Sequence, residues 1–355
     1  MTTARKTSVS VRTARAKRRR RKKIKRILHT VLLLLFMAAV CVGAGYLIYI
    51  LRGGSFSALS EKYQTSKEFE NTLISGAECR ADTMAKNLCV VEGDVNLESA
   101  SLEAGQTGVL FDLNDQKVLF SRGAYERVYP ASITKIMTSM LAMKNCGMDE
   151  VVTITAEDLQ LEEGSQVCGF QVGDRLTMNQ LLHCLLVYSG NDAASAIARY
   201  VGGGSTEAFV DMMNSYAAQL GCTGTHFTNP HGLQDPNHYT TPYDIYLMLR
   251  EALNYPLFSE ISQLSSYSVE YTRADGSQMV TYLLATDHYL TGEANAPKDV
   301  TVLGGKTGTT SDAGNCLALL SQNAYGEPYV SIVMGAATKE LLYQQMNSLL
   351  VNINS

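Results

Sequence analysis

A serine and a lysine stand three positions apart in the segment PASITKIM, residues 130–137. On a helix this spacing places Ser132 and Lys135 on one face, within side-chain reach of each other. A serine hydroxyl becomes a strong nucleophile when a base takes its proton, and an unprotonated lysine can do this. Lys135 would have to lose its charge near neutral pH, which requires burial or a second nearby cation. The alternative for this pair alone is a helix-capping serine beside a surface lysine.

Two further segments carry residues suited to the same chemistry. YSGND, residues 188–192, follows an apolar helical pattern and predicts Ser189 and Asn191 on a turn. GGKTGTT, residues 304–310, ends a predicted strand, and its glycines let a ligand lie close to the backbone. Singly, these are also an ordinary turn and a strand end with an exposed Lys306. In this order, however, the three segments match the S-x-x-K, S-x-N and K-T-G set of covalent serine enzymes.

The histidines and cysteines do not suggest a metal. His226, His231 and His238 are spaced H-x4-H-x6-H in a loop-like segment, which matches no usual metal-ligand pattern. The eight cysteines include no C-x-x-C pair, so a zinc or thioredoxin-type site is not expected. We therefore predict an enzyme with neither a metal nor a cofactor.

The elements that must position these residues are helices and β-hairpins. Two apolar runs flanking a polar turn predict a hairpin at 108–121, and Asp275-Gly276 predicts another within 263–284. A third hairpin is expected at 315–336 and a strand at 300–310. Apolar residues at helical spacing predict helices over 132–147, 177–189, 206–221 and 339–353. The fold class is therefore α+β, with helices packed on an antiparallel sheet whose strands come from both ends of the domain.

The charge distribution divides the chain into four parts. Residues 1–26 are a basic segment, and 27–51 form an uncharged apolar stretch long enough to cross a bilayer. Residues 53–355 contain 16 Lys and Arg against 34 Asp and Glu, a formal charge of −18. We predict a cytoplasmic tail, a single transmembrane helix, a stalk at 52–100 and an extracytoplasmic catalytic domain at 101–355. A cleaved signal peptide and a nucleic-acid-binding arm are the alternatives, and we expect no nucleic acid as partner.

Residues 101–350 resemble the serine D-Ala-D-Ala carboxypeptidases, the low-molecular-weight penicillin-binding proteins. The resemblance rests on the three motifs and on EEGSQVCGFQVGDRLTMNQLLHCLLVYSGNDAASAIA and MNSYAAQLGCTGTHFTNPHGL. It implies a β-lactamase/transpeptidase-like fold with a helical subdomain, and removal of the terminal D-Ala from peptidoglycan stem peptides ending in D-Ala-D-Ala. It also implies that β-lactam antibiotics bind covalently.

The resemblance implies a role for each motif residue. Ser132 is the nucleophile, Lys135 its base, and Ser189 relays a proton toward the leaving amine. The residues implied to bind or orient substrate are Asn191, Lys306, Thr307, Gly308 and Thr309. The backbone N–H groups of Ser132 and Thr309 are implied to hold the oxyanion.

The chain departs from the family in one respect that leaves other activities open. Members often grip the substrate carboxylate with an arginine after the K-T-G strand, but no arginine follows Arg273 here. Lys339 is the one late cation, and Thr307 and Thr309 with Lys306 are further candidates. D,D-endopeptidase or transpeptidase activity therefore stays open. A β-lactamase is disfavoured by the missing E-x-x-x-N loop between Ser189 and Lys306, and an inactive cell-wall-binding scaffold by the intact motifs.

Overall fold

The computed structural model describes Met37 and residues 88–354. Residues 88–354 belong to one compact unit, Asp82–Ser355. The predicted basic tail, the apolar stretch at 27–51 and most of the predicted stalk lie outside the described residues. Within the described part of the chain, no helix combines the length and the hydropathy needed to span a bilayer.

The strands form two antiparallel sheets. Numbered in chain order, they are β1 (Thr107–Asp112), β2 (Lys117–Arg122), β3 (Val151–Thr153), β4 (Arg175–Thr177), β5 (Ser266–Thr272), β6 (Gln278–Leu284), β7 (Thr301–Thr310), β8 (Gly314–Gln322) and β9 (Pro328–Ala336). The larger sheet has the order β2-β1-β9-β8-β7, so the first and last hairpins pair across β1 and β9. This confirms the prediction that strands from both ends of the domain share a sheet.

The hairpin at Asp275-Gly276 does not belong to that sheet. Its strands β5 and β6 pair in register, Ser266 with Leu284 through Thr272 with Gln278, as the D-G turn predicts. They continue instead into a smaller sheet of order β3-β4-β5-β6. The prediction of a single sheet was incomplete because β3 and β4 are three residues each and carry almost no periodic signal.

Helices fill the middle of the chain and cover the larger sheet. They are α1 (Lys135–Asn145), α2 (Met178–Leu186), α3 (Asn191–Val201), α4 (Thr206–Leu220), α5 (Pro242–Ala252), α6 (Pro256–Ser262), α7 (His288–Thr291) and α8 (Lys339–Leu350). Their starts follow ordinary capping chemistry: Thr177 and Gln180 form a capping box on α2, and Ser205 caps α4. The four predicted helices are confirmed, although the one predicted to begin at residue 132 becomes α-helical only at Lys135.

Residues 88–100, which were assigned to the stalk, pack on the folded body. Cys89 is 1% exposed, its N–H donates to the Tyr246 hydroxyl at 3.0 Å, and Val91 is also buried in the core. Val95 forms a β-bridge with Ser121 beside β2. The folded unit therefore begins before the predicted boundary at residue 101.

Candidate active site

The turn that carries Ser132 is a single 3-10 turn, Ala131–Thr134, running directly into α1. Ala131 has φ +47°, a left-handed conformation that is unfavourable for a residue with a Cβ. Lys135 follows one turn later and is completely buried. Its Nζ lies 2.8 Å from Ser132 Oγ, so the predicted helical spacing does bring the two side chains into contact.

Lys135 Nζ is surrounded by three oxygens of different kinds. Besides Ser132 Oγ, it donates to Asn191 Oδ1 at 2.7 Å and to the His231 carbonyl at 2.8 Å. The amide and carbonyl oxygens can only accept, whereas a hydroxyl can also donate. A neutral amine satisfies all three contacts, because it donates twice and presents its lone pair to the Ser132 hydroxyl proton. The geometry therefore suits a lysine that acts as a base.

Burial and charge both favour this neutral form. Desolvation lowers the pKa of Lys135 well below its ordinary value, and the positive charge of Lys306 lowers it further. Burial also lowers the pKa of Lys306, to about 7, against an opposing effect of the Asp287 carboxylate. Burial thus lowers the pKa of both lysines, and the charge of Lys306 further favours the neutral form of Lys135.

Ser189 and Asn191 enter the site from the turn between α2 and α3. Ser189 has φ +67° and is 5% exposed, and its Oγ accepts a hydrogen bond from Lys306 Nζ at 2.9 Å. Asn191 is the first residue of α3, and its Oδ1 accepts from Lys135 Nζ. The turn thereby contacts both lysines, Lys306 through the Ser189 hydroxyl and Lys135 through the Asn191 amide.

Strand β7 forms another wall of the site and packs closely on the turn that carries Ser132. A Cβ on Gly308 would lie 2.9 Å from the Pro130 carbonyl oxygen and 3.0 Å from Ser132 N, so a larger residue would push the strand away. On either side, Thr307 Oγ1 lies 2.5 Å from Thr286 Oγ1, and Thr309 Oγ1 donates to Asn315 Oδ1 at 3.1 Å. Because β7 is the last strand of its sheet, one of its edges pairs with no other strand there.

These walls enclose a cleft of about 450 Å³ that contains Ser132. Its lining includes Ser189, Asn191, Thr307, Gly308 and Thr309, so the predicted motif residues meet at one site. The cleft also receives Lys339 from the start of α8 and Glu162 and Glu163 from the facing loop. Among the described residues, no group of three His, Cys, Asp or Glu side chains is placed to hold a metal ion.

The three motifs do not include the segment 228–238, which contacts the turn that carries Ser132. His231 contributes its carbonyl to Lys135, and Gly232 packs on Ala131 so closely that a Cβ would lie 1.8 Å from the Ala131 carbonyl oxygen. His238 is 2% exposed and contacts Thr134. The spacing of these histidines predicted only that they do not bind a metal. The PHGL sequence, whose glycine has φ +86°, was the signal that could have identified this segment.

The fold and the site together define a class. The chain has the α+β fold of penicillin-binding proteins and transpeptidases: it matches the DD-transpeptidase of Streptomyces K15 with a TM-score of 0.63 and 26% identity, over 69% of this chain and 95% of that one. It also matches a D-alanyl-D-alanine carboxypeptidase of Mycobacterium tuberculosis, with a TM-score of 0.61 and 29% identity, over 73% of this chain and 92% of that one.

The family follows from the sequence itself. The family model described as D-alanyl-D-alanine carboxypeptidase, Peptidase S11, matches residues 94–338, and the chain belongs to this family. A relative is DacF of Bacillus subtilis, named D-alanyl-D-alanine carboxypeptidase, which is 30% identical over 69% of this chain and 61% of its own length. DacC of Escherichia coli, with the same enzyme name, is 31% identical over 72% and 62%. The chain thus spans about three fifths of these curated relatives.

Proposed function

We propose that this protein is a serine-type D,D-carboxypeptidase that removes the terminal D-Ala from peptidoglycan stem peptides through an acyl-enzyme on Ser132. The observation that carries the proposal is the position of Lys135. Its buried amine lies 2.8 Å from Ser132 Oγ and is held by two oxygens that can only accept. A base fixed in this way activates the hydroxyl without a histidine or a metal.

In acylation, Ser132 Oγ attacks the carbonyl carbon of the penultimate D-Ala, and its proton passes to Lys135 Nζ. The carbonyl oxygen becomes an oxyanion that accepts from the backbone N–H groups of Ser132 and Thr309. When the tetrahedral centre collapses, the peptide C–N bond breaks and the D-Ala nitrogen takes a proton. Ser189 donates this proton and regains one from Lys306, to which it is hydrogen-bonded at 2.9 Å.

Before deacylation, Lys135 gives up the proton that it took from Ser132, and Lys306 regains one through solvent in the cleft, so both lysines return to their starting charge. In deacylation, a water molecule attacks the ester of Ser132, and the neutral Lys135 takes the water proton. Collapse of the second tetrahedral centre returns the proton to Ser132 Oγ and releases the shortened stem peptide. The overall reaction consumes one water and yields free D-alanine. The same carbonyl chemistry opens the ring of a β-lactam, so we propose that penicillins acylate Ser132.

Lys339 is our candidate for binding the terminal carboxylate of the substrate. Within the described part of the cleft lining, Lys339 is an exposed cation. Lys306, by contrast, is buried and already donates a hydrogen bond to Ser189. Thr307 and Thr309 line the same cleft, and their hydroxyl groups would donate to a carboxylate by turning away from Thr286 and Asn315. Replacing Lys339 by Ala should lower kcat/KM about tenfold for a peptide ending in free D-Ala-D-Ala. The C-terminal amide of the same peptide is the matched control and should be almost unaffected, whereas an equal loss on both would remove this assignment.

The central test is covalent labelling of the full chain by a fluorescent penicillin, beside Ser132→Ala. A stable adduct on the wild type and none on the variant would place the nucleophile, and D-alanine release from a pentapeptide would then measure the reaction. Rapid loss of the label would indicate a β-lactamase. No label on either protein would refute the proposal and favour an inactive wall-binding scaffold. Release of D-alanine only when an acceptor amine is present would indicate a transpeptidase.

We further propose that the catalytic unit lies outside the cytoplasm and is tethered to the membrane through residues 27–51. Support comes from the basic run KRRRRKKIKR at 17–26 beside an uncharged stretch of 25 residues, because basic flanks are retained on the cytoplasmic side. Protease added to intact spheroplasts should degrade the catalytic unit and spare a short N-terminal fragment. Full protection of the chain until the membrane is lysed would refute this location.

A further inference from the structure

The residue before the nucleophile is held in a conformation that it would not adopt alone. Ala131 has φ +47° and is 2% exposed, and an isolated alanine in the left-handed region is unfavourable by about 1–2 kcal/mol. Such strain persists only where surrounding contacts impose it. Because the Ala131 carbonyl belongs to the peptide that leads into Ser132, whatever holds this carbonyl also sets the direction of the nucleophile.

Two side chains form a continuous chain of hydrogen bonds to this carbonyl. Thr134 Oγ1 donates to the Ala131 carbonyl oxygen at 2.8 Å, and His238 Nε2 lies 2.8 Å from the same Thr134 oxygen. On the far side of the ring, His238 Nδ1 accepts from the Thr228 N–H at 3.1 Å. A nitrogen that accepts carries no proton, so in the neutral ring the proton is on Nε2 and is donated to Thr134.

The surroundings of His238 keep its ring neutral and in contact with Thr134. The ring is 2% exposed and packs edge-on against Phe227. Burial lowers the pKa of His238 to about 4, so the ring is neutral at the pH of most cells. Gly232 packs against the same carbonyl, because a Cβ there would lie 1.8 Å from the Ala131 oxygen and 2.9 Å from Thr134 Oγ1. One segment, residues 228–238, therefore contacts the Ala131–Thr134 turn both through His238 and through Gly232.

We propose that His238 is a positioning residue: through Thr134 it holds the strained Ala131 peptide and thereby aims Ser132 Oγ at the substrate carbonyl. The inference rests on the proposed acylation of Ser132. His238 does not touch Lys135, substrate or the reacting atoms, and neither motif reasoning nor the comparisons assign it a role. Its effect is on the acylation step, because a misplacement of about 1 Å at a nucleophile can cost about 100-fold in rate.

Thr134→Val tests the proposal, since valine has nearly the same shape and lacks the hydroxyl. The full-length variant should still be labelled to the same final extent by fluorescent penicillin, but about 10- to 100-fold more slowly. Thr134→Ser keeps the hydroxyl and should restore the rate to within about threefold. Thr138→Val is the matched control: Thr138 joins the same helix to the same segment, through its 2.6 Å bond to the Pro230 carbonyl, but does not contact Ala131.

A purely structural role would lower the labelled fraction and the melting temperature of Thr134→Val and Thr138→Val alike, with equal rates per labelled molecule. That result would overturn the inference. If Thr134→Val does not fold, His238→Gln and His238→Leu replace it, because Gln offers a donor to Thr134 and Leu does not. Equal acylation rates for these two would also overturn it. Failure of the wild type to be labelled would instead refute the proposed function.

Discussion

Replacing Asn191 by Asp changes the charge state of the base while leaving its shape almost unchanged. Asn191 Oδ1 lies 2.7 Å from Lys135 Nζ, and both side chains are buried. A carboxylate at this distance attracts a protonated lysine by about 6 kcal/mol at an effective dielectric constant of 20. Burying the new carboxylate offsets part of this gain. A remaining preference of about 3 kcal/mol for the protonated form would raise the pKa of Lys135 by about two units.

The direction of the pH dependence follows from the same argument. Burial and the positive charge of Lys306 hold the wild-type pKa of Lys135 well below its ordinary value, which favours the neutral base. In Asn191→Asp its pKa rises, and the acid limb of the acylation profile moves to higher pH. The rate constant should therefore fall below wild type at neutral pH and should increase about tenfold per pH unit along the shifted acid limb until it levels off above the raised pKa.

Stopped-flow acylation by a fluorescent penicillin between pH 5 and 10 measures this profile. Asn191→Ala is the control, because it removes the hydrogen bond without adding a charge and should lower the rate equally at every pH. Two results would show that Lys135 is not the base. One is an acylation rate of Asn191→Asp at pH 7 equal to that of the wild type, and the other is a loss of rate that alkaline pH does not restore.

Three predictions concern stability. Gly232→Ala should lower the free energy of unfolding by at least about 2 kcal/mol more than Gly221→Ala. Both glycines have positive φ, but of the two only Gly232 has backbone where a Cβ would lie. Equal losses in denaturant titrations would contradict this. Arg199→Ala should cost about 2–3 kcal/mol, since it leaves Asp158 buried without its 2.8 Å partner, and an unchanged melting temperature would refute it. His238 binds a proton more readily in the unfolded chain than in the folded one, because burial lowers its pKa to about 4. Acidification from pH 6.5 to 4 should therefore lower the free energy of unfolding by about 3 kcal/mol, and His238→Gln should not show this loss.

Local signals in the sequence predicted the elements of the larger sheet well. The turn between β1 and β2 and the one between β8 and β9 are short and polar, and their flanking strands are apolar enough to be recognised. The smaller sheet was not predictable in the same way. Its β4 strand has three residues and pairs with β5 only through Arg175 and Thr272, so tertiary contacts rather than residue pattern decide its place.

The start of α1 shows where a correct helical pattern gives a wrong boundary. The apolar spacing of SITKIMTSMLAM is helical from its first residue, yet the chain forms a 3-10 turn before Lys135. The left-handed Ala131 imposes this turn, and the strain is compensated by contacts from residues about 100 positions later in the chain. A local pattern contains no information about such contacts.

The same limit separates the predictable part of the site from the rest. The motif residues contact one another through their side chains, so their types and spacing are visible as motifs: Ser132, Lys135, Ser189, Asn191 and Lys306. The second acceptor of Lys135 is the His231 carbonyl, which any residue could provide, and a residue-type pattern cannot reveal it. What the sequence does retain is the glycine next to it, because that position must approach the nucleophile turn without a Cβ. A backbone acceptor at a serine–lysine site is therefore better sought through the glycines beside it than through the residue that provides the carbonyl.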